Sequence, residues 1–333
     1  MSTIAVHGTQ PQTTYTAHPE RNPGMALDLG LVESARINRS AIERRAATLP
    51  GRRTVKKEWQ AAWLLHAIRC MDLTTLAGDD TPGTIARLCA KARRPVRDDL
   101  LQALGVAHTR ITVGAVCVYH DMVAPAVAAL RGSGIPVAAV STGFPAGLSP
   151  FALRVAEIEQ SVAAGAQEID IVISRRHALL GDWQALYDEV RAFRAACGAA
   201  HMKTILATGE LGTLTTVYQA SMICMLAGAD FIKTSTGKES VNATLPVGLT
   251  MLRAIRAYHE HSGHVVGFKP AGGVRTAKQS LDWLILIKEE LGDAWLQPHL
   301  FRFGASALLT DIERQLEHHL TGAYSAAHRH AMG

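Results

Sequence analysis

The sequence lacks any apolar run long enough to span a membrane. Its first ten residues, MSTIAVHGTQ, also lack the basic start and the sustained apolar stretch of a secretory signal. The first absence argues against a membrane protein and the second against a secreted one. We therefore expect a cytoplasmic protein.

Cysteines are few, and none has the spacing of a metal site or of a disulfide framework. The histidines, most of which fall in helical patterns and near the chain ends, have no ligand spacing either. We expect no metal site, and we interpret the cysteines as buried free thiols at Cys70, Cys89, Cys117, Cys197 and Cys224.

The net charge of +5 could indicate a nucleic-acid partner, but no aromatic side chains are interleaved with the basic ones. Much of the excess lies in three basic pairs, Arg44-Arg45, Arg52-Arg53 and Lys56-Lys57. A solvated helix face, or attraction for a small phosphorylated substrate, explains the charge equally well. We expect no nucleic-acid partner.

Segments of different character follow one another along the 333 residues. Residues 1–22 are polar and rich in Thr, Gln, His and Pro, which predicts a mobile tail. Residues 23–66 carry apolar side chains at three-to-four spacing and predict an N-terminal helical extension. One α/β domain is expected at 67–320, followed by a C-terminal tail at 321–333.

Within that domain, short apolar runs alternate with longer helical patterns, as in a parallel sheet that has helices on its faces. Ala-Gly-Ala at 164–166 and at 227–229 predicts left-handed glycine caps at two helix ends. The candidate strands number eight, at 70–73, 113–119, 137–141, 168–173, 202–207, 231–234, 265–269 and 300–303.

Eight strands that are each followed by a helix predict a (β/α)8 TIM barrel with an N-terminal helical extension. An open, doubly wound sheet is the alternative, and it is disfavoured because no Gly-x-Gly-x-x-Gly follows the first strand. Chemistry in a barrel lies at the carboxyl ends of the strands. This rule selects Asp72, Thr74, Asp170, Glu210, Lys233, Lys269, Gly304 and Ser306.

The pair of strand-end lysines, Lys233 and Lys269, is the strongest chemical signal in the sequence. Lysine is seldom buried unless it is paired or reactive. A cation beside a lysine favours the neutral amine, which is the form that attacks a carbonyl to give a Schiff base. The alternative is that each lysine only pairs with Asp170 or Asp72 in a structural ion network.

Two other lysines compete for the same role. Lys203 lies early in its strand, toward the end opposite the expected site. Lys238 follows Gly237 in a turn, where it is better placed to hold an anion than to be desolvated.

The remaining polar candidates each have a structural alternative. Asp170, between Ile169 and Ile171, is interpreted as an inward-facing partner of the lysines, because an unpaired carboxylate in an apolar strand is costly. Asp72, Thr74 and Thr75 could equally belong to a helix-capping cluster. Cys117, near the end of the second strand, is more typical of core than of a binding site.

Glycines in the loops after the seventh and eighth strands predict a phosphate site. The segments are Pro270-Ala-Gly-Gly-Val-Arg275 and Arg302-Phe-Gly-Ala-Ser-Ala307. Bare backbone amides can surround an anion there, often with help from a helix N-terminus. Lys238 and Ser306 would add a charge and a hydroxyl.

These segments resemble those of deoxyribose-phosphate aldolases, which are class I aldolases with a TIM-barrel fold. The resemblance covers about residues 66–315. It is carried by Met71-Asp-Leu-Thr-Thr-Leu76, Val116-Cys-Val-Tyr119, Glu168-Ile-Asp-Ile-Val172, Ala229-Asp-Phe-Ile-Lys-Thr-Ser-Thr-Gly-Lys238, Gly267-Phe-Lys-Pro-Ala-Gly-Gly-Val-Arg-Thr276 and Arg302-Phe-Gly-Ala-Ser306. The stretch 53–65 is similar to that of the longer, eukaryote-type members.

The resemblance implies reversible cleavage of 2-deoxy-D-ribose 5-phosphate to D-glyceraldehyde 3-phosphate and acetaldehyde, without metal or cofactor. It implies that Lys233 forms the Schiff base, that Lys269 perturbs its basicity and that Asp170 relays protons with a water. The implied substrate-binding residues are Asp72, Thr74, Cys117, Gly237, Lys238, Gly272, Gly273, Gly304 and Ser306.

The chain departs from the family at two places. Ala307 stands where many members have a second Ser or Thr. The short bacterial form ends in a tyrosine that can reach the site, whereas the tail of this chain carries Tyr324 and continues to Gly333. The alternatives are another Schiff-base barrel, such as a transaldolase-like enzyme, and a sugar-phosphate sensor without turnover. A homo-oligomer, dimer or tetramer, is expected.

Overall fold

The structure is a computed structural model that describes residues 21–52, 55–326, 329 and 330. Eight short strands carry the fold. They are β1 (Met71–Thr74), β2 (Ala115–Tyr119), β3 (Val137–Ser141), β4 (Glu168–Val172), β5 (His201–Ile205), β6 (Phe231–Lys233), β7 (Gly267–Lys269) and β8 (Phe303–Ala305).

All of the strand pairings are parallel, and the order β7-β6-β5-β4-β3-β2-β1-β8 follows the chain without reversal. Two further bridges, Phe268 to Phe301 and Ala271 to Gly304, join β7 to the β8 side. The sheet therefore curls round on itself, which confirms the predicted TIM barrel. The open-sheet alternative is wrong, because a doubly wound sheet reverses its strand order at a switch point.

The predicted strands overlap the observed ones, but the eighth is displaced. It was expected at 300–303 and lies at Phe303–Ala305. The preceding segment pairs with the other neighbour: Phe268 N donates to Leu300 O at 2.9 Å, and Arg302 N donates to Phe268 O at 3.1 Å. Leu300 and Phe301 are both buried. The segment therefore has the apolar composition of a barrel strand, although it pairs with β7 and not with β1.

Helices separate the strands and cover the outside of the barrel. They are α1 (Leu29–Glu33), α2 (Arg39–Arg52), α3 (Lys57–Arg69), α4 (Pro82–Arg93), α5 (Asp98–Ala103), α6 (Val123–Leu130), α7 (Phe151–Ala163), α8 (Arg175–Leu180), α9 (Trp183–Ala196), α10 (Leu214–Leu226), α11 (Leu245–Ser262), α12 (Ala277–Leu291) and α13 (Ala307–Thr321).

Capping residues fix where several of these helices begin and end. The side chains of Thr213, Thr244 and Thr276 each accept a hydrogen bond from the backbone three residues ahead, at the starts of α10, α11 and α12. Gly165 and Gly228 follow α7 and α10 with φ values of 102° and 97°. The predicted left-handed glycine caps are thus confirmed.

The N-terminal helices pack on the outer ring of the barrel. Helix α2 lies against α11 and α12, and α3 lies against α12 and α13. Arg45 of α2 donates to Glu289 and Glu290 of α12, at 2.7 and 3.2 Å. The expected helical extension is therefore present.

The extension begins earlier than the predicted boundary at residue 22. Arg21 pairs with Asp230 at 3.1 Å, and the Asn22 amide donates to the carbonyls of Met225 and Ala229 at 2.8 and 2.9 Å. These two residues are thus attached to the start of β6 rather than part of a tail. Residues 1–20 of the predicted mobile tail lie outside the described residues.

After α13 the chain folds back along that helix. The Tyr324 ring stacks on His318, with 4.4 Å between ring centroids. His318 lies in the last turn of α13, about 18 Å along the axis from Ser306 at a rise of about 1.5 Å per residue. Tyr324 therefore does not reach the mouth of the barrel. Residues 327, 328 and 331–333 of the predicted tail lie outside the described residues.

Candidate active site

Neighbouring strands place the predicted catalytic residues side by side in the interior of the barrel. Lys233 ends β6, Lys269 ends β7, and the two are register partners. Asp170, the third residue of β4, faces the same interior because alternate residues of a strand share one face. The backbone register alone therefore brings both amines toward one carboxylate.

Both lysine side chains donate to the same oxygen. Lys233 Nζ and Lys269 Nζ each lie 2.7 Å from Asp170 Oδ2. Lys233 is 3% exposed, and Lys269 and Asp170 are 0% exposed. The interpretation of Asp170 as an inward-facing partner of the lysines is borne out by this geometry.

The two lysines differ in basicity, and burial is the first cause. Burial lowers the pKa of Lys233, and the Lys269 ammonium lowers it further against the attraction of Asp170. Burial also disfavours the charged form of Lys269, but Asp170 and Asp72 outweigh it and raise the pKa of Lys269. Lys233 thus loses its proton more readily than Lys269, which is held as an ammonium ion. The sequence-based explanation attributed the lowered pKa of Lys233 mainly to Lys269, whereas burial is the larger cause.

Asp170 is held in its ionised form. Burial alone would favour the neutral acid, but Lys203, Lys233 and Lys269 together hold the pKa of Asp170 well below its usual range. A carboxylate of this kind accepts protons transiently and does not store one at neutral pH. It suits a relay better than a general acid.

Asp72 does not cap a helix. Its carboxylate is buried and accepts from Lys269 and from Arg302. Although burial opposes it, these cations lower the pKa of Asp72. Capping of α4 belongs instead to Thr81, whose side chain accepts from Thr84 N at 3.2 Å.

The two threonines after Asp72 lie at the barrel mouth and are partly buried. The Thr74 hydroxyl donates to the Asp72 carbonyl at 2.7 Å, and the Thr75 hydroxyl donates to the Asp80 carboxylate at 2.9 Å. Thr75 thus stabilises the loop that leads to α4. Thr74 stays a predicted substrate contact.

The sequence did not lead us to select Glu168 and Arg302 as interior charges, and it placed Lys203 at the wrong end of the barrel. Glu168 lies two residues before Asp170 on the same face of β4, and Lys203 is the register partner of Asp170 on β5. Arg302 precedes β8 and reaches Glu168 and Asp72. The period of two in Glu168-Ile-Asp could have indicated the first of these.

Lys203 is held among carboxylates inside the barrel. It is 0% exposed and donates to Glu168 and, at 2.9 Å, to Asp170 Oδ1. Burial opposes its charged form, but these carboxylates raise its pKa. The expectation that Lys203 lies at the end of its strand away from the site is wrong, since it contacts Asp170. Its raised pKa keeps it an ammonium ion, which supports the prediction that it is not the nucleophile.

The glycine-containing loops predicted to hold phosphate meet at the mouth of the barrel. Gly237, Gly272 and Gly273 have φ values of 88°, 78° and 84°, which L side chains rarely adopt. A Cβ on Gly237 would lie 3.8 Å from Gly272 Cα, so the loops after β6 and β7 are in contact. Ser306 is exposed and directly precedes the first residue of α13.

Lys238 and Gly304, which were also predicted to bind phosphate, make contacts within the site. Lys238 is exposed, and its ammonium reaches across the mouth to Leu76 O at 3.3 Å. A Cβ on Gly304 would lie 2.8 Å from Ala271 Cβ and 3.3 Å from Lys269 Cε. Gly304 therefore leaves the space that the Lys269 side chain occupies.

Cys117 belongs to an apolar wall beside the lysines. It is fully buried, burial raises the pKa of its thiol, and Lys233 and Lys269 are among its charged neighbours. It packs with Ala138, Val140, Phe144, Val172 and Ile205. A direct contact of Cys117 with substrate stays a prediction.

Within the described ranges, no group of three or more His, Cys, Asp or Glu side chains has an arrangement that could hold a metal ion. In the same residues, no helix combines the length and the hydropathy needed to cross a membrane.

Comparison with known proteins gives concordant matches. The family model described as DeoC/LacD family aldolase matches residues 66–310. The deoxyribose-phosphate aldolase of Homo sapiens is 60% identical over 309 residues, which cover 92% of this chain and 97% of the relative. That of Bos taurus is 61% identical over 307 residues, which cover 92% and 96%.

A solved structure gives an independent likeness in fold. The tetrameric deoxyribose phosphate aldolase from Aeropyrum pernix aligns at 20% identity with a TM-score of 0.56. The alignment covers 84% of this chain and 99% of that one. At this identity the likeness concerns the barrel architecture alone.

Proposed function

The chain belongs to the DeoC/LacD family of aldolases and is a class I aldolase, and we propose that Lys233, Lys269 and Asp170 carry its reaction. The substrate is 2-deoxy-D-ribose 5-phosphate, cleaved reversibly to D-glyceraldehyde 3-phosphate and acetaldehyde. This reaction belongs to the catabolism of deoxyribose phosphate. The observation that carries the assignment of residues is the shared contact of both lysines with Asp170 Oδ2.

Lys233 begins the reaction as a neutral amine. It attacks the aldehyde carbon C1 of the open-chain sugar, and loss of water gives a protonated imine. The imine accepts the electron pair of the C2–C3 bond while the C3 hydroxyl loses its proton. Glyceraldehyde 3-phosphate leaves, and the two-carbon enamine stays on Lys233.

The second half of the reaction returns the enzyme to its starting state. Protonation of the enamine at C2 gives the imine of acetaldehyde, and water hydrolyses it to free acetaldehyde and the neutral amine. We assign the proton donor to the Lys269 ammonium, which contacts Asp170 and stays protonated at neutral pH because its carboxylate neighbours raise its pKa against the effect of burial. Asp170, ionised and in contact with both lysines, relays protons through a water.

The mouth of the barrel holds the rest of the substrate. Thr74 ends β1 and is the side chain that we expect to contact the sugar hydroxyl, while Asp72, two residues earlier, supports the site through Lys269 and Arg302. The phosphate lies among the backbone amides of Gly237, Gly272 and Gly273, with Lys238 and Ser306 alongside. Ala307 supplies no hydroxyl here, so the first turn of α13 contributes its backbone amides to the phosphate.

Turnover tests this proposal. Purified protein should release glyceraldehyde 3-phosphate from deoxyribose 5-phosphate, and Lys233→Met should lose activity by about 10⁴-fold or more. Acetaldehyde should serve as donor in the synthetic direction. Turnover of a longer ketose phosphate in its place would favour a transaldolase-like enzyme, and binding of the sugar phosphate without turnover would favour a sensor.

We also propose a homo-oligomer, dimer or tetramer, formed through the N-terminal helical extension. The Aeropyrum pernix enzyme is tetrameric, and Trp59 on α3 of this chain is 74% exposed. Exposed aromatic side chains are enriched in subunit interfaces. Light scattering that gives a monomer mass at all concentrations would exclude this assembly. A cytoplasmic location stays a prediction.

A further inference from the structure

Six charged side chains inside the barrel form one closed circuit of ion pairs, named here the charge ring. Each of them is buried, with 5% exposure or less. Cations and carboxylates alternate around the charge ring, through Asp72, Lys269, Asp170, Lys203, Glu168 and Arg302.

The first half of the charge ring surrounds Asp170. Lys269 bridges Asp72 Oδ2 and Asp170 Oδ2. The other oxygen, Asp170 Oδ1, accepts from Lys203 Nζ at 2.9 Å. Both oxygens of the carboxylate are therefore held by cations, which fixes the direction in which Oδ2 faces Lys233.

The second half closes the circuit through a bidentate arginine. Lys203 also donates to Glu168 Oε2, and Arg302 Nη2 donates to Glu168 Oε1 at 2.9 Å. Arg302 Nη1 donates to Asp72 Oδ1 and so returns to the start. Its planar fork spans two carboxylates in a way that a lysine ammonium cannot.

Lys233 stands outside this circuit. In the described chain it contacts one carboxylate, Asp170, at 2.7 Å. The groups that face it are Asp170 from β4, Lys269 from β7 and the Cys117 thiol from β2. Three cations already balance three carboxylates in the charge ring, so a charged Lys233 would be a fourth buried cation with no countercharge of its own.

We propose that Glu168, Lys203 and Arg302 are positioning residues, which close the charge ring, hold its net charge at zero and so keep the Lys233 amine unprotonated. They do not touch the substrate. Their effect reaches Lys233 through the orientation of Asp170 and through the sum of the charges. The inference rests on the proposed function, since Lys233 is taken as the Schiff-base lysine.

The proposal predicts opposite responses to two distant substitutions. Arg302→Gln leaves the charge ring with one excess negative charge, which favours the protonated form of Lys233 and moves imine formation to higher pH. Glu168→Gln leaves one excess positive charge and moves it to lower pH. Each shift should be about one pH unit. The double variant restores neutrality, and its onset should return close to that of the wild type.

The experiment measures reductive trapping of acetaldehyde on Lys233 as a function of pH, by peptide mass spectrometry, in the full-length chain. Arg302→Lys is the matched control, because it keeps the charge while losing the fork, and its onset should stay near the wild-type pH. Shifts of the two single variants in the same direction, or no shift in either, would overturn the proposal. If these side chains are needed for folding alone, the variants should trap less acetaldehyde while the onset pH of trapping stays unchanged, and this result also overturns the proposal.

If a variant fails to fold, a measurement on the wild type still tests the proposal. Lysine side-chain NMR of the protein should show Lys233 losing its proton first, while Lys203 and Lys269 stay ammonium ions. Loss of the proton from Lys203 or Lys269 before Lys233 overturns the proposal. Absence of any trapped adduct in the wild type, by contrast, is a failure of the proposed function, and the NMR titration separates the two.

Discussion

Lys233 and Lys269 stand opposite each other on adjacent strands, and both amines lie 2.7 Å from Asp170 Oδ2. Despite this shared contact their basicities diverge: burial lowers the pKa of Lys233, whereas Asp170 and Asp72 overcome burial and raise the pKa of Lys269. The difference lies in the number of carboxylate partners, one against two. This difference is the basis for proposing Lys233 as the nucleophile and Lys269 as the proton donor.

Replacing Lys269 by leucine should slow the reaction and shift its pH dependence upward. The Lys269 charge helps to lower the pKa of Lys233, in addition to burial, so its removal raises that pKa and the neutral amine appears only at higher pH. Loss of the proton donor should lower kcat by about 10²- to 10⁴-fold. A pH profile of kcat/KM tests this. Lys269→Arg keeps the charge, and an unmoved profile in Lys269→Leu contradicts the account.

Replacing Lys233 by methionine should stabilise the fold while it abolishes activity. The folded-state pKa of Lys233 is lowered mainly by burial, so the unfolded chain binds more protons and stability rises with pH up to the unfolded value of about 10.5. Removing the lysine takes away that cost, with a gain of about 1 kcal/mol at neutral pH that fades as the pH approaches 10. Urea unfolding at pH 7 and pH 10 measures it. A variant that is less stable than wild type at pH 7 contradicts this expectation.

Lys238→Met should weaken binding of the phosphorylated substrate specifically. Lys238 is exposed at the mouth, and Gly237 beside it contacts the Gly272 turn. We expect KM for deoxyribose 5-phosphate to rise by about tenfold with kcat little changed, because a charge-assisted contact is lost equally from the ground and transition states. Cleavage of unphosphorylated deoxyribose should not change. Lys278→Met, on α12, is the control, and equal losses with both sugars would contradict a phosphate role.

Gly304→Ala should disturb the site through Lys269. The added methyl would lie 2.8 Å from Ala271 Cβ and 3.3 Å from Lys269 Cε, closer than packed carbons tolerate. We expect a loss of about 1–3 kcal/mol in the free energy of unfolding and a fall in kcat. Gly83→Ala in α4 is the control, since its methyl would meet only Thr81 Oγ1 at 3.6 Å. Unfolding and kinetics that match the wild type in Gly304→Ala would show that the loop yields freely.

Local sequence signals predicted most of the barrel, because strand composition and helix caps act over a few residues. The two Ala-Gly-Ala segments are an example, since Gly165 and Gly228 follow α7 and α10 in the left-handed conformation that was predicted. Strand-end position selected Lys233 and Lys269, and the isoleucines on either side selected Asp170; the structure brings these three side chains into contact. The displaced β8 shows the limit, since Leu300 and Phe303 are equally apolar but pair with different strands.

The charge ring lay beyond sequence reasoning for a related reason. Arg302 precedes its strand and meets Glu168 134 positions away, a contact that depends on barrel closure and side-chain reach. Lys203 was placed too far from the site because the register of β5 against β4 cannot be predicted from either strand alone. The position of Tyr324 could not be predicted either, because it depends on the direction that the chain takes after α13.

The most direct test of the account is reduction of the protein with borohydride in the presence of acetaldehyde, followed by peptide mass spectrometry. The account predicts one reduced two-carbon adduct, on Lys233, which disappears in Lys233→Ala. An adduct on Lys203, Lys238 or Lys269 instead, or labelling that persists undiminished in Lys233→Ala, would contradict it.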